Sequence, residues 1–220
     1  MRNRHIAIAG IGALAISLTV FGAPALAAPI VDAANDFIPS FTGTQTGDLD
    51  VLSAAAVYDG TYFHLSATMA ATIGTGANTR YVWGFDRGAG TARFGAIATG
   101  VIFDSVVIVT VGTPGATVNR LVGGGSTTLG AAAVTISGAS ILVDVPVSEL
   151  PSQGFAAENY GINLWPRENN SSIIGNAQIS DFAPDNSLFL ASIPEPASIA
   201  LLGFSLSGLA VARRRGTRKG

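Results

Sequence analysis

Cysteine is absent from all 220 residues of the chain. Disulfide bonds, thiolate metal sites and cysteine nucleophiles are therefore excluded. Histidine is nearly as scarce, and of the two residues only His64 lies beyond the first five positions. Any histidine-dependent catalysis by the body of the protein would have to use that residue. A body of about 165 residues is large enough to be held together by its core alone.

Positive charge is scarce between the two ends of the chain. Of the twelve Lys and Arg residues, seven lie among the first four or the last eight positions. The middle keeps five arginines against fourteen acidic residues, which is a net charge of −9. Because an acidic surface repels phosphate backbones, we expect no nucleic-acid partner. Cations or neutral polymers are better matched to such a body.

The first 27 residues have the three parts of a secretory signal. Arg2 and Arg4 form its positive start, and an uncharged apolar run follows. Ala25 and Ala27 are the small residues that signal peptidase requires. We expect signal peptidase to remove residues 1–27. The alternative is that this segment is retained as a membrane anchor.

A second uncharged run, residues 197–212, lies near the other end of the chain. As a helix it would span roughly 24 Å, slightly less than a hydrocarbon core of ~30 Å. Flanking arginines can reach the membrane surface and are expected to stay cytoplasmic. They are Arg213, Arg214 and Arg215. The pattern predicts a transmembrane helix at 197–212, a basic tail at 213–220 and an exported body at 28–193.

The tripeptide Pro194, Glu195 and Pro196 comes directly before this run. Each proline fixes its own φ and favours an extended predecessor, which presents Glu195 outside any helix. Together, the tripeptide, the apolar span and the arginine cluster resemble the PEP-CTERM sorting signal of exopolysaccharide-producing Gram-negative bacteria. The resemblance covers roughly residues 193–219, about an eighth of the chain. It implies recognition and processing by an exosortase, an integral-membrane enzyme.

The resemblance also implies a route for the protein. The precursor would be anchored transiently in the inner membrane with its body in the periplasm. After processing it would reach the cell surface or the extracellular space. A permanent anchor without processing is the alternative.

The body has the sequence pattern of β-structure. Asp59-Gly60 separates two strand-like runs, and in the second run apolar and polar residues alternate from Tyr62 to Met69. Further strand-like runs are separated by Gly, Ser, Thr and Asn. We predict an all-β fold, an antiparallel β-sandwich of jelly-roll or immunoglobulin-like type. The stretch "DAANDF…GDLDVLSAAAVYDGTYFHLSATM" resembles carbohydrate- and ligand-binding sandwiches of the DOMON and family-9 type.

Acidic residues are concentrated near both ends of the body. They are Asp32, Asp36, Asp48 and Asp50 at the start, and Asp181 and Asp185 at the end. Because the termini of a sandwich often meet, these oxygens could converge on Ca²⁺, which takes six to eight oxygen ligands. The spacing matches no EF-hand, and Asp is also a common turn residue. Both interpretations stay open, and no other cofactor is predicted.

Three aromatic residues suggest a surface for carbohydrate. Tyr81, Trp83 and Trp165 could stack on sugar rings, as contact with a polysaccharide would require. The alternative is that they fill the core of the sheet. Asp86-Arg87 and Arg167-Glu168 follow two of the aromatic strands, where we expect ion pairs at the rim.

No sequence pattern in the body marks a catalytic site. A nucleophile-elbow motif is missing, and fourteen acidic residues offer carboxylate pairs of which none is distinguished by its neighbours. We therefore expect a non-catalytic surface or matrix protein associated with exopolysaccharide. The alternatives are a carbohydrate- or calcium-binding module and a secreted glycan-active enzyme.

Overall fold

Antiparallel β-strands are the main regular structure of the body. The computed structural model describes residues 29–74, 78–169 and 172–194. The predicted signal peptide with Ala25 and Ala27, and the tail from Glu195 onward, lie outside these ranges. Across the described ranges, no helix is long and apolar enough to cross a membrane.

The described residues form thirteen strands. They are β1 (Ile30–Val31), β2 (Val51–Tyr58), β3 (Tyr62–Met69), β4 (Thr79–Asp86), β5 (Thr91–Ala92), β6 (Ile102–Phe103), β7 (Ser105–Thr110), β8 (Ala116–Arg120), β9 (Ser126–Leu129), β10 (Val134–Ser137), β11 (Ser140–Pro146), β12 (Gly161–Glu168) and β13 (Phe189–Leu190). Single 3-10 turns lie at Gly47–Leu49, Gly95–Ile97, Ala131–Ala133, Val147–Glu149, Ala157–Asn159 and Gly175–Gln178.

The strands form two large antiparallel sheets and one small one. The five-stranded sheet has the order β1-β2-β3-β11-β10, and the six-stranded sheet has the order β13-β12-β4-β7-β8-β9. Strands β5 and β6 pair separately. The prediction of an antiparallel all-β body is confirmed.

The turn between β2 and β3 is the one that Asp59-Gly60 predicts. Asp59 Oδ1 accepts hydrogen bonds from the backbone N–H groups of Thr61 and Tyr62, each at 2.8 Å. Gly60 has a φ of 95°, which favours glycine. The hairpin closes with Tyr58 opposite Phe63. This register directs Phe63 and Leu65 into the core and Tyr62 and His64 to the surface.

The two large sheets share one apolar core. Its residues come from both sheets, including Phe63 and Leu65 of β3 and Trp83 and Phe85 of β4. The sheets therefore pack face to face. A second apolar cluster covers the opposite face of the six-stranded sheet, where Trp165 of β12 packs with residues of 94–103 and with Phe182. Its rings lie close together, with the Phe94 and Trp165 centroids 5.0 Å apart.

The apolar stretch "GVIFDSVVIVTV", whose sequence predicts one long strand, is divided in two. The run at 100–111 breaks at Asp104, with β6 pairing in the small sheet and β7 in the six-stranded sheet. Asp104 is fully buried and accepts hydrogen bonds from the backbone N–H and the guanidinium of Arg87, at 2.9 and 2.6 Å. The side chain of Arg87 has no exposed surface. The predicted rim position of Arg87 is therefore wrong, because its partner is a buried carboxylate on a neighbouring segment.

Candidate metal centre

Three segments that are distant in sequence bring five aspartates together. Asp32 and Asp36 follow β1, and Asp50 directly precedes β2. Asp181 and Asp185 lie between β12 and β13, on a segment whose backbone bridges to β12 at Leu164–Ala183. Five of the six acidic residues whose convergence the sequence suggested thus meet at one place.

The five carboxylates form two overlapping groups. Asp32, Asp36 and Asp185 each offer an oxygen within 4.8 Å of the others, and so do Asp36, Asp50 and Asp181. Asp36 belongs to both groups. Asp50 and Asp181 are buried, Asp32 and Asp36 are half-buried, and Asp185 is exposed. The cluster therefore extends from the interior to the surface.

Backbone amides orient the two buried carboxylates. Asp50 Oδ2 accepts the N–H of Asn35 at 2.9 Å, in a turn where Asn35 has a φ of 64°. One carboxylate oxygen of Asp181 accepts the backbone N–H of Val51 at 2.8 Å. The other accepts the backbone N–H of the next residue, Phe182, at 2.7 Å. These bonds hold both side chains in place.

Two polar residues missed by the sequence analysis support the site. Ser180 donates its hydroxyl to the carbonyl of Leu49 at 2.7 Å, which ties the two buried segments together. The buried Asn163 of β12 donates its amide to the carbonyls of Pro184 and Ser187, on either side of Asp185. Asn163 could have been recognised from the sequence, because it is the polar residue within the apolar run "GINLWP". The sequence around Ser180 gave no comparable signal.

Burial and mutual repulsion raise the pKa values of these carboxyl groups. Burial, followed by the charges of Asp36 and Asp185, raises the pKa of Asp32 to about 7. Burial also raises the pKa of Asp181 to about 8, despite its backbone hydrogen bonds. The pKa of Asp36 is raised for the same primary reason. Perturbed carboxyl groups of this kind are concentrated at functional sites.

Three carboxylate oxygens of the cluster are buried without a hydrogen-bond partner among the described residues. They are Asp32 Oδ2, Asp36 Oδ1 and Asp50 Oδ1. The Oδ1 atom of Asp50 is the strongest evidence of the three, because Asp50 is only 1% exposed. An unpaired carboxylate in such a place is costly unless it is protonated or coordinates a cation. The arrangement is chemically suited to a hard cation.

Asp48, the sixth predicted ligand, is in neither group. It is buried in the turn before β2, where its Oδ1 accepts the hydroxyl of Thr46 at 2.6 Å. Its backbone carbonyl accepts the hydroxyl of Tyr81 at 2.7 Å. Asp48 lies within the 3-10 turn Gly47–Leu49, whereas Asp50 ends that turn with an extended backbone, so the two side chains have different surroundings.

The predicted stacking platform is not accessible. Tyr81 and Trp83 have no exposed surface and Trp165 is 2% exposed. The first two lie between the large sheets, and Trp165 lies in the second cluster. The stacking hypothesis is therefore wrong for these residues, and the alternative that they fill the core is correct.

His64 lies on the outer face of the five-stranded sheet. Its Nδ1 is 2.7 Å from Asp144 Oδ1, and its Nε2 is 3.1 Å from Asp59 Oδ2. The hydrogen bond that His64 donates to the Asp144 carboxylate is the main cause that raises the pKa of His64. Both ring nitrogens are thus engaged by carboxylates.

Comparison with known proteins bears on the tail. A family profile describing the PEP-CTERM protein-sorting motif matches residues 192–215. The chain carries a PEP-CTERM sorting motif. This motif implies an exported protein that is sorted through the membrane and processed by an exosortase. No curated protein and no solved structure matches the chain.

The PEP-CTERM motif begins on the folded body. Its first residue, Ser192, forms a β-bridge with Val57 and exchanges backbone hydrogen bonds with Ala56 and Tyr58, both at 2.9 Å. Ile193 is already 59% exposed. Pro194 ends the described residues, so Glu195, Pro196 and the arginine cluster of the motif lie outside them.

Proposed function

We propose that this protein acts without catalysis at the cell surface or in the extracellular matrix, in association with exopolysaccharide. The observation that carries the proposal is the PEP-CTERM motif at residues 192–215. Its body is a β-sandwich of jelly-roll or immunoglobulin-like type. The acidic charge of the body suits neutral polymers and polymers bridged by cations.

The surroundings of His64 support a non-catalytic role. A serine hydrolase needs a histidine nitrogen that can accept the proton of the nucleophile. Here Asp144 and Asp59 occupy the two nitrogens. The histidine is therefore better explained as part of a surface hydrogen-bond network.

The acidic cluster favours an enzyme more than His64 does, since glycosidases use a carboxyl group of raised pKa as their general acid. Asp181 has such a pKa, but it is 1% exposed and both its oxygens accept backbone N–H groups. A polysaccharide cannot approach it without displacing those contacts. The geometry therefore favours binding over hydrolysis.

The proposed maturation has two cleavages. Signal peptidase would cut after Ala27, and exosortase would cut near Glu195, leaving a body of about residues 28–193. The test is the intact mass of the protein from its producing organism, beside a Glu195→Ala variant. Glu158→Ala, which alters an exposed glutamate of the body, is the control.

We expect the wild type and the Glu158→Ala control to lose the tail, and Glu195→Ala to keep it. A tail present in all three proteins would contradict processing and indicate a membrane-anchored protein. Co-sedimentation of the processed protein with exopolysaccharide from the same organism then tests the association. Release of reducing sugar ends during that incubation would instead indicate a glycan-active enzyme.

A further inference from the structure

The geometry points to a calcium-binding centre formed by Asp32, Asp36, Asp50, Asp181 and Asp185. We infer that the bound ion ties the beginning of the body to its end. This inference concerns the folded body and does not depend on exopolysaccharide or on the fate of the tail.

The spacing of the oxygens fits calcium. Ca²⁺ binds oxygen ligands at about 2.3–2.6 Å, so ligands on opposite sides of the ion are about 5 Å apart. Within each of the two groups, the carboxylate oxygens lie within 4.8 Å of one another. The aspartates can therefore surround an ion without large rearrangement, and Asp36 can serve both groups.

The buried member of the cluster supplies an independent reason for a cation. Asp50 is 1% exposed, and its Oδ1 has no hydrogen-bond partner among the described residues. Its other oxygen accepts only one backbone N–H, that of Asn35. Turn formation explains the bonded oxygen but leaves the other one unexplained. A metal ion would satisfy it.

Basic side chains do not take the place of a metal in the described part of the chain. The ion pairs there involve acidic residues outside the cluster. Arg87 pairs with Asp104, Arg120 pairs with Glu149, and His64 pairs with Asp59 and Asp144. The charges that act on Asp32 and Asp36 are those of other aspartates. The repulsion within the cluster is thus available to be relieved by a divalent cation.

The donor set distinguishes calcium from other common ions. All the ligands are carboxylates, whereas Zn²⁺ sites are built mainly from cysteine and histidine. Mg²⁺ keeps several waters and usually takes one or two carboxylates. A centre of several carboxylates on loop segments suits Ca²⁺, which takes six to eight oxygen ligands in a variable geometry.

The position of the centre explains what the ion would do. Asp50 and Asp181 lie on segments joined by Val51 N–H to Asp181 and by the Ser180 hydroxyl to Leu49. These two contacts connect residues 130 and 131 positions apart. In a chain without cysteine, a calcium ion would provide the cross-link that a disulfide provides in many exported proteins.

The test compares the melting temperature of the exported protein, purified from its producing organism, in EDTA and in Ca²⁺. Calcium at 100 times its Kd should raise the melting temperature by roughly 5–10 °C, since it binds only the folded state. Mg²⁺ at the same concentration should raise it far less. Native mass spectrometry counts the ions bound.

Two variants locate the site. Asp50→Asn keeps the shape of the side chain and should lose most of the calcium-dependent rise. Asp185→Asn, at an exposed position, should weaken calcium binding about tenfold or more without endangering the fold. The matched control is Asp48→Asn, which removes a charge from the same turn as Asp50 and should keep the rise. Each variant is compared with itself in EDTA, so a general loss of stability cancels.

Three results would overturn the inference. The first is a wild type whose melting temperature does not respond to calcium. The second is an equal response to Mg²⁺, which would indicate general screening of charge. The third is an unchanged calcium response in both Asp50→Asn and Asp185→Asn. None of these results would affect the masses that test exosortase processing.

Discussion

Arg87 is a fully buried cation held by one carboxylate and three backbone carbonyls. Its guanidinium donates to Asp104 Oδ1 and to the carbonyls of Pro151, Val122 and Asp104. Desolvating both charges is expensive, so each depends on the other. At the residue scale, this pair is an ion pair whose two side chains are both fully buried.

Replacing Arg87 with methionine should destabilise the protein by about 3–5 kcal/mol, because Asp104 is left buried and unpaired. Arg93→Met is the control, since Arg93 is exposed and contacts the carbonyl and ring of Phe103 only from the surface. It should cost less than about 1 kcal/mol. Urea denaturation of the two variants measures the difference. Similar losses in both would show that the buried pair contributes little.

At the scale of elements, the pairing of β4 with β12 includes a glycine, Gly84, that makes room for a tryptophan. Gly84 faces Asn163 across the sheet, and a Cβ built on it would lie 2.5 Å from the ring of Trp165. The absence of a side chain lets the ring of Trp165 approach the backbone of β4 closely. The second apolar cluster depends on this close approach.

Gly84→Ala should therefore lower stability by about 1–3 kcal/mol, because the methyl group overlaps Trp165 and must displace it. The expected signs are a lower melting temperature and a changed near-ultraviolet circular dichroism spectrum. Gly130→Ala is the control, since a Cβ there meets nothing within 4 Å. Equal effects at the two glycines would contradict the role given to Gly84.

At the scale of the whole molecule, the acidic cluster couples folding to pH. The pKa values of Asp32 and Asp181 are raised to about 7 and about 8, above their ordinary value of 3.8. The folded protein therefore binds more protons than the unfolded chain between pH 4 and 8. By linkage, these two groups contribute most to the free energy of unfolding below about pH 4. That contribution is lost as the pH rises through their pKa values in the folded protein.

In EDTA, the melting temperature should consequently fall as the pH is raised from about 5 to 8. Saturating Ca²⁺ should remove most of this slope, because the ion favours the ionised carboxylates. Asp181→Asn should flatten the slope in EDTA as well. A melting temperature in EDTA that rises over this pH range would contradict the raised pKa values. Thermal melts at matched ionic strength provide the measurement.

Several features of the whole molecule were predictable because they depend on neighbours in sequence. The hairpin at Asp59-Gly60 and the inward face of β3 follow from local turn chemistry and from period-two alternation. The sorting motif was recognisable because its tripeptide, apolar run and arginines are consecutive. The candidate ligands were found because acidic residues are concentrated near the two ends of the body.

The errors concern contacts between segments that are distant in sequence. Arg87 resembled a surface residue because it follows the end of a strand, and its partner Asp104 belongs to another segment. Tyr81 and Trp83 read equally well as a sugar platform or as core, since alternation does not tell which face of a strand is covered. Trp165 lies on the outer face of its sheet, which a second cluster then buries.

The sequence by itself determined the β-class of the body, its hairpin turns and the sorting motif of its tail. These properties arise from backbone preferences and from patterns that span a few residues. Only the tertiary structure decided that Asp36, Asp50 and Asp181 meet while Asp48 turns away. Such proximity depends on the order of strands in two sheets and on which face each segment buries. Both are set by the packing of the whole core.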